Sequence, residues 1–292
     1  MAGNCPAISN AQARPSRAEL SESDGARFRA FERTRYHALA ESYDHFFTPV
    51  TTNAIAPRLK TIGLKPGDRL LDVACGSGAL AAAAREQGAQ ATGIDLTPGM
   101  IALAKARHPG IDAREAEVEH LPFSDGAFDV VACNFGIGHF PYPERSVAEC
   151  ARMLKAGGRV ALAWWDTPDK QRIMGLFRDA VAEIGAQLPP DVPPGYSLFR
   201  FSDSGAFRAL LEGAGLNDVT ISEHPATHRV PDMATLWRGG LGSSAVTSSA
   251  IGYQDEATQA KIRAAVERLA QPYMTADGLV LPVAFKIAAG RK

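Results

Sequence analysis

Cysteine is scarce in this chain and forms no pattern. Its 292 residues hold four, Cys5, Cys75, Cys133 and Cys150. None stands in a C-x-x-C pair, so neither a zinc knuckle nor a disulfide framework is indicated. Scattered single thiols fit a reducing cytoplasm. An excess of one charge is missing too: a formal net charge of −1 leaves no electrostatic footprint for nucleic acid. No apolar run reaches the length that spans a bilayer. The first ten residues lack the basic stretch and apolar block of a secretory signal. No H-x-x-x-H motif or carboxylate cluster suggests a metal. The expectation is a cytoplasmic protein without membrane, nucleic-acid or metal partners. The 46% of apolar and 22% of charged residues are ordinary for a globular fold.

What is present is a regular beat of strands and helices. Residues 1–20 are polar and aperiodic, which predicts a tail without fixed structure. Helices are expected over 26–47 and 51–62, the second closed by Gly63. Strand patterns follow at 69–73, 90–95, 111–115, 128–134 and 159–165, with helical patterns at 78–87, 98–107 and 143–154 between them. Lys155-Ala156-Gly157-Gly158 reads as a turn. This alternation predicts an α/β fold, a doubly wound, mostly parallel sheet with helices on both faces. Later come helices at 170–185, 203–212, 232–241 and 255–273, a proline-rich loop at 188–195, a Gly/Ser-rich separator at 239–249, and strands at 216–223 and 278–288. A helical insertion between two late strands is therefore expected.

Ligands of such sheets bind outside the carboxyl ends of the strands. There the sequence places Gly76-Ser77-Gly78, between the apolar run Leu70 to Cys75 and an alanine-rich helix. Glycines let backbone approach a ligand closely, and the new helix offers free amides. Asp72, just before them, would repel a pyrophosphate and suits a cationic ligand such as a sulfonium or ammonium. Asp95 ends the second strand, where a carboxylate can accept from both hydroxyls of a ribose; helix capping is its alternative, although Thr97 is the better cap. His139 follows the fourth strand at the mouth of the predicted site. It suits a general base, with a structural or substrate-orienting role as the alternative.

These motifs resemble those of class I S-adenosylmethionine (SAM)-dependent methyltransferases. The similarity is strongest to the small-molecule branch that includes ubiquinone and menaquinone C-methyltransferases, over about residues 43–165. Leu71-Asp72-Val73-Ala74-Cys75-Gly76-Ser77-Gly78 resembles the family's first motif, and Thr92-Gly93-Ile94-Asp95-Leu96 its second-strand acidic motif. Glu117-Val118-Glu119 resembles its adenine-side segment, Asp129 to Asn134 its fourth-strand motif, and Leu154 to Arg159 the turn before its fifth strand. Ala156 stands where proline is common.

The resemblance implies SAM as cofactor and an N-terminal Tyr43-Asp44 pair whose tyrosine closes over it. It implies cofactor contacts from Asp72, Ala74, Gly76, Gly78 and Asp95. Leu96 and Met100 would pack the adenine, Glu117 and Val118 would bond it, and Asn134 would sit at the methionine end. It also implies a division into a tail (1–20), an N-terminal helical cap (21–64), a SAM-binding core (65–168), and a lid with closing strands (169–292). The implied reaction is methyl transfer to an O, N or C nucleophile of a small molecule. The aromatics Phe135, Phe140, Tyr142, Trp164, Trp165, Tyr196, Phe199, Phe201 and Trp237 suggest an aromatic or lipophilic acceptor. Two alternatives stay open. Gly76-x-Gly78-x-x-Ala81 also satisfies a dinucleotide fingerprint, which would make an NAD(P)-dependent oxidoreductase. A SAM-fold protein acting as a cyclase or binding module is the other.

Overall fold

The computed structural model describes residues 20–193, 198–242 and 244–292; all but the last residue of the tail predicted at 1–20 and part of the proline-rich loop lie outside them. Two helices open the described chain. α1 (Glu22–Thr51) starts at Ser21, whose hydroxyl accepts from the Asp24 amide, with Glu22 and Asp24 in the first turn, where acidic residues complement the helix dipole. It runs several residues beyond the predicted span at each end. α2 (Ile55–Ile62) ends at Gly63, whose φ of 63° is a left-handed conformation that glycine adopts without strain.

The core is a seven-stranded sheet. Its strands are β1 (Arg69–Val73), β2 (Gln90–Asp95), β3 (Asp112–Glu115), β4 (Phe128–Asn134), β5 (Leu154–Trp165), β6 (Asn217–His224) and, last in the chain, β10 (Phe285–Arg291). The order is β3-β2-β1-β4-β5-β10-β6, all parallel except β10, which runs antiparallel to both neighbours. β1 and β4 are buried along almost their whole length, as expected of central strands covered on both faces. The helices α3 (Ala79–Glu86), α4 (Pro98–Arg107) and α5 (Pro143–Met153) connect them. Pro98 and Pro143 sit at the helix starts, where a missing N–H costs nothing.

Register fixes what faces the ligand edge. Val73 pairs with Ile94 on one side and Cys133 on the other. The tips of the three central strands, Ala74, Asp95 and Asn134, therefore emerge side by side. Strand order reverses between β1 and β4, and the crevice this opens is where ligands of wound sheets bind.

The predicted turn at Lys155–Gly158 belongs to β5 instead. Gly157 takes a φ of 72°; its N–H donates to Lys292 O and the Lys292 N–H donates to Gly158 O, so the last residues extend this strand's ladder. After β5 come α6 (Arg172–Ile184) and α7 (Ser204–Gly213). The insertion between β6 and β10 holds α8 (Met233–Leu241), α9 (Ala245–Gly252) and α10 (Glu256–Ala270). It also holds a small antiparallel sheet of β7 (Thr227–Val230), β8 (Met274–Thr275) and β9 (Gly278–Pro282). Two expectations are corrected here. The Gly/Ser-rich separator is largely helical: its first three residues end α8 and its last five begin α9, capped by the Ser244 hydroxyl on the Thr247 amide. The single last strand is two, β9 and β10, because the chain leaves the small sheet at Val283 and Ala284 and crosses to the large one. Among the described residues no helix is long and apolar enough to cross a membrane.

A candidate SAM cleft at the carboxyl edge of the sheet

A cleft enclosing about 810 Å³ of space, its open mouth included, lies over the tips of β1, β2 and β4. Its wall includes Tyr43, Ala74, Gly76, Asp95, Leu96 and Met100, and further along Glu117, Val118, Asn134 and His139. The structure thus brings together every predicted site residue except Asp72 and Gly78. Gly78 (φ 80°) stands one step behind the wall and packs against Ala104 and Ile111.

The glycine loop is tied down by backbone. Gly78 N–H donates to Cys75 O, and Cys75 N–H to Ile94 O. Asp95 is the hub: its carboxylate accepts from the Gly76 amide at 3.0 Å and from the Thr97 amide at 2.9 Å. Burial pushes its carboxyl above the ordinary range, while those two amides and the nearby His139 pull it back. Thr97, the expected cap of α4, makes no side-chain capping bond; its own amide is the one that Asp95 holds. Two residues at the cleft, Ala74 (φ 54°) and Phe135 (φ 58°), hold left-handed backbone without being glycine. Such conformations cost about 1 kcal/mol or more and persist where surroundings impose them. Phe135 is held by stacking on Trp165, ring centroids 3.8 Å apart, and by an amide bond to Ala163.

Asp72 is fully buried behind the loop. One oxygen accepts from the Ala81 amide in the first turn of α3 at 3.1 Å, and the other meets no donor. Its charge neighbour is Arg58 of α2, itself fully buried with no hydrogen-bond partner on its guanidinium nitrogens. Burial raises the Asp72 carboxyl to about 7, against the pull of Arg58. Burial lowers Arg58 to about 10.

α1 roofs the cleft, and sequence reasoning missed most of what it contributes. Arg29 Nε lies 2.9 Å from Glu117 Oε1, and Arg29 Nη1 lies 3.4 Å from Glu119. Glu32 meets His139 Nδ1 at 2.9 Å. Tyr36 stands edge-on to the His139 ring, centroids 5.1 Å apart. Arg33 pairs with Glu115, and Asp44 with Arg107 at 2.6 Å. The signal lay in spacing: Arg29, Glu32, Tyr36 and Tyr43 fall on one face at helical intervals. Polar residues on a buried face needed an opposing wall to explain them.

The residues 71–162 match the family of methyltransferase domains. A demethylmenaquinone methyltransferase of Clavibacter sepedonicus is 31% identical over 201 residues, covering 65% of this chain and 79% of that one. The chain belongs to the class I SAM-dependent methyltransferases. The methyltransferase shares 37% identity over 189 residues with a demethylmenaquinone methyltransferase of Chlorobaculum parvum, covering 61% of this chain and 77% of that one. Its fold matches the Haemonchus contortus phospholethanolamine N-methyltransferase 2, solved with S-adenosylhomocysteine. That match has TM-score 0.54 and 18% identity, over 91% of this chain and 60% of that one. The family assignment disfavours the oxidoreductase alternative.

The cleft's chemistry fits SAM. Asn134 donates to Thr51 O at 3.3 Å while its buried Oδ1 meets no donor, leaving an acceptor for an ammonium. A side chain at Gly76 would meet nothing within 4 Å, so the loop leaves space there. Asp95 retains lone pairs beyond its two amides.

Of the aromatics expected at the mouth, Phe135 and Phe140 line the methyltransferase cleft. Tyr142, Trp164, Trp165 and Phe201 are core residues instead, because large rings contribute most when fully enclosed. Phe199 packs against that core, and Trp237 stacks on Phe177. Tyr196 lies outside the described residues. Trp164 also shapes the turn that carries His139: a Cβ at Gly138 would come within 2.1 Å of its ring, and the Trp164 indole N–H is fixed on Leu198 O at 2.7 Å. Gly138→Ala is expected to destabilise the fold by about 1–3 kcal/mol through overpacking, seen as a lower urea midpoint with an unchanged slope. A midpoint equal to wild type would show that Trp164 can yield.

Proposed function

We propose that this cleft binds SAM across the tips of β1, β2 and β4 and directs its methyl group to an O, N or C nucleophile of a small aromatic or lipophilic molecule. The observation that carries the reading is the alignment of Ala74, Asp95 and Asn134 by sheet register. Asp95 takes the ribose hydroxyls. Leu96, Met100 and Val118 form the apolar bed for the adenine, and Glu117 with the Val118 amide reads its edge. The Ala74–Gly76 backbone runs along the methionine part, Asn134 accepts from the ammonium, and Tyr43 closes the cleft above. Gly78 keeps the loop close to α4. Asp72 acts from behind, holding the first turn of α3 in place.

Bound there, SAM supplies an electrophilic methyl group on a sulfonium that leaves as a neutral thioether. The protein's task is alignment and exclusion of water, worth on the order of 7–11 kcal/mol at best. The names of the relatives, demethylmenaquinone methyltransferases, favour a quinol-like acceptor, as does the apolar wall of Phe135 and Phe140. His139, at the acceptor side, is the candidate base. Scattered buried thiols support a reducing cytoplasm as the working compartment, and the near-neutral charge supports a small molecule over nucleic acid as substrate.

The test is calorimetry with SAM and with NADH, followed by an acceptor panel headed by chemically reduced demethylmenaquinone and including phenols and amines. SAM binding, no NADH binding, and S-adenosylhomocysteine formation with an aromatic acceptor are expected. NADH binding in the absence of SAM binding would overturn the proposal.

A further inference from the structure

The roof helix places a carboxylate where the reaction as described so far needs none. Glu32 is almost buried, its side chain 7% exposed against 31% for His139, and its Oε2 sits 2.9 Å from His139 Nδ1. Alignment alone would suffice for a neutral amine, and a charged carboxylate costs free energy to bury. An ionised Glu32 can only accept, which would put the ring hydrogen on Nδ1 and leave Nε2 as the basic nitrogen. Tyr36 and Trp164 wall the imidazole edge-on from two sides and fix its plane.

We propose that Glu32 is a positioning residue that holds His139 as a base with Nε2 free, and that the acceptor is therefore a nucleophile that must give up its proton to attack, a phenol or an enolic carbon acid, rather than an amine. The proposal rests on the methyltransferase reading of the cleft and narrows it. The acceptor's O–H or C–H proton passes to Nε2. The electron pair it leaves behind forms the new bond to the methyl carbon, and the pair of the breaking C–S bond stays on sulfur. The imidazolium, with Glu32 as its counter-charge, then returns the proton to water. The charged and titratable groups facing His139 are Glu32 and Tyr36 from α1 and Asp95 from β2. Arg29, one turn before Glu32, is already held by Glu117 and Glu119 and does not compete for the carboxylate.

Two readouts test this, one of them independent of turnover. In ¹⁵N NMR of the full chain, with the His139 signals identified through H139Q, the neutral ring is expected to carry its hydrogen on Nδ1. E32L should shift that balance towards Nε2–H. A dominant Nε2–H form in wild type, or an unchanged balance in E32L, overturns the proposal whatever the acceptor proves to be. In turnover with 1,4-naphthohydroquinone as probe, E32Q should lower kcat roughly tenfold and H139Q about 100-fold. KM for SAM should stay as in wild type. The acid limb of kcat/KM should move to lower pH in E32Q, because the imidazolium loses its counter-charge. A purely structural Glu32 would leave that limb in place. If SAM binds wild type but phenethylamine is methylated equally fast by wild type and H139Q, the acceptor class is wrong while the methyltransferase reading stands. Loss of SAM binding in wild type would instead defeat that reading.

Discussion

Asp95→Ala is expected to weaken SAM binding by roughly 100-fold or more, measured by calorimetry. In the proposed complex the carboxylate bonds both ribose hydroxyls, each charge-assisted bond worth about 1.5–3 kcal/mol. The same substitution releases the amides of Gly76 and Thr97, now held at 3.0 and 2.9 Å. The glycine loop and the first turn of α4 would thus lose their common anchor. Asp95→Asn separates the two contributions. Its one amide oxygen can keep a single backbone bond, while its NH2 group opposes the other donor, so most of the loss should remain. The fold should survive both changes, because Asp95 lies at the strand tip and its loss leaves no charge buried beneath the sheet. Undiminished SAM affinity in Asp95→Ala would remove the central contact of the proposed site.

The largest effect on stability is expected from Asp72→Ala. Asp72 is the charged neighbour of a fully buried arginine, Arg58, whose guanidinium has no hydrogen-bond partner. Removing one partner of a buried pair leaves the other uncompensated, at about 3–5 kcal/mol. The measurement belongs at pH 8, where Asp72 is ionised and Arg58, at about 10, keeps its charge. Its sign with pH also follows. Burial raises the folded Asp72 carboxyl to about 7, from an ordinary value of 3.8. Between those values the folded chain holds a proton that the unfolded chain has released. The stability that comes from holding this proton is therefore complete below about pH 4 and is lost as pH rises through 7, leaving the pairing with Arg58 as what Asp72 contributes at pH 8. Asp72→Asn, which cannot ionise, should flatten that slope in urea titrations from pH 4 to 8. An equally steep decline in Asp72→Asn would assign the slope to another group.

These two carboxylates show how far sequence reaches. Both stand at the ligand end of central strands, and both were expected to touch the cofactor, Asp72 through its charge and Asp95 through a ribose. The structure separates them. The side chain of Asp95 meets the cleft wall, whereas that of Asp72 lies behind the glycine loop against α2 and α3. Alternation along a strand sends successive side chains to opposite faces, but which face looks onto the crevice depends on the helices that cover it. The expectation of direct contact needed that information.

The core was legible because its signals are local. Apolar runs ended by Gly63, Gly76 and Gly88, and prolines at the starts of α4 and α5, mark boundaries within a few residues. The Gly/Ser-rich segment was misleading for the opposite reason. Six of the eight residues of α9 are Val, Thr, Ser, Ile or Gly, weak helix formers, and the helix is stable because it packs among α1, α6, α8 and α10, a long-range fact. The last strand was misread because β9 and β10 form one apolar stretch in sequence, and only pairing with β7 on one side and β5 on the other divides it.

The sequence by itself determined the wound α/β core, the glycine loop, and the set of polar residues at the strand tips, since each depends on neighbours close along the chain. Tertiary structure alone decided which of those residues share a cleft, that Asp72 stands behind it, and that α1 brings Glu32 to His139. Those two residues are 107 positions apart, and only packing of the roof helix across the sheet edge brings their side chains into contact.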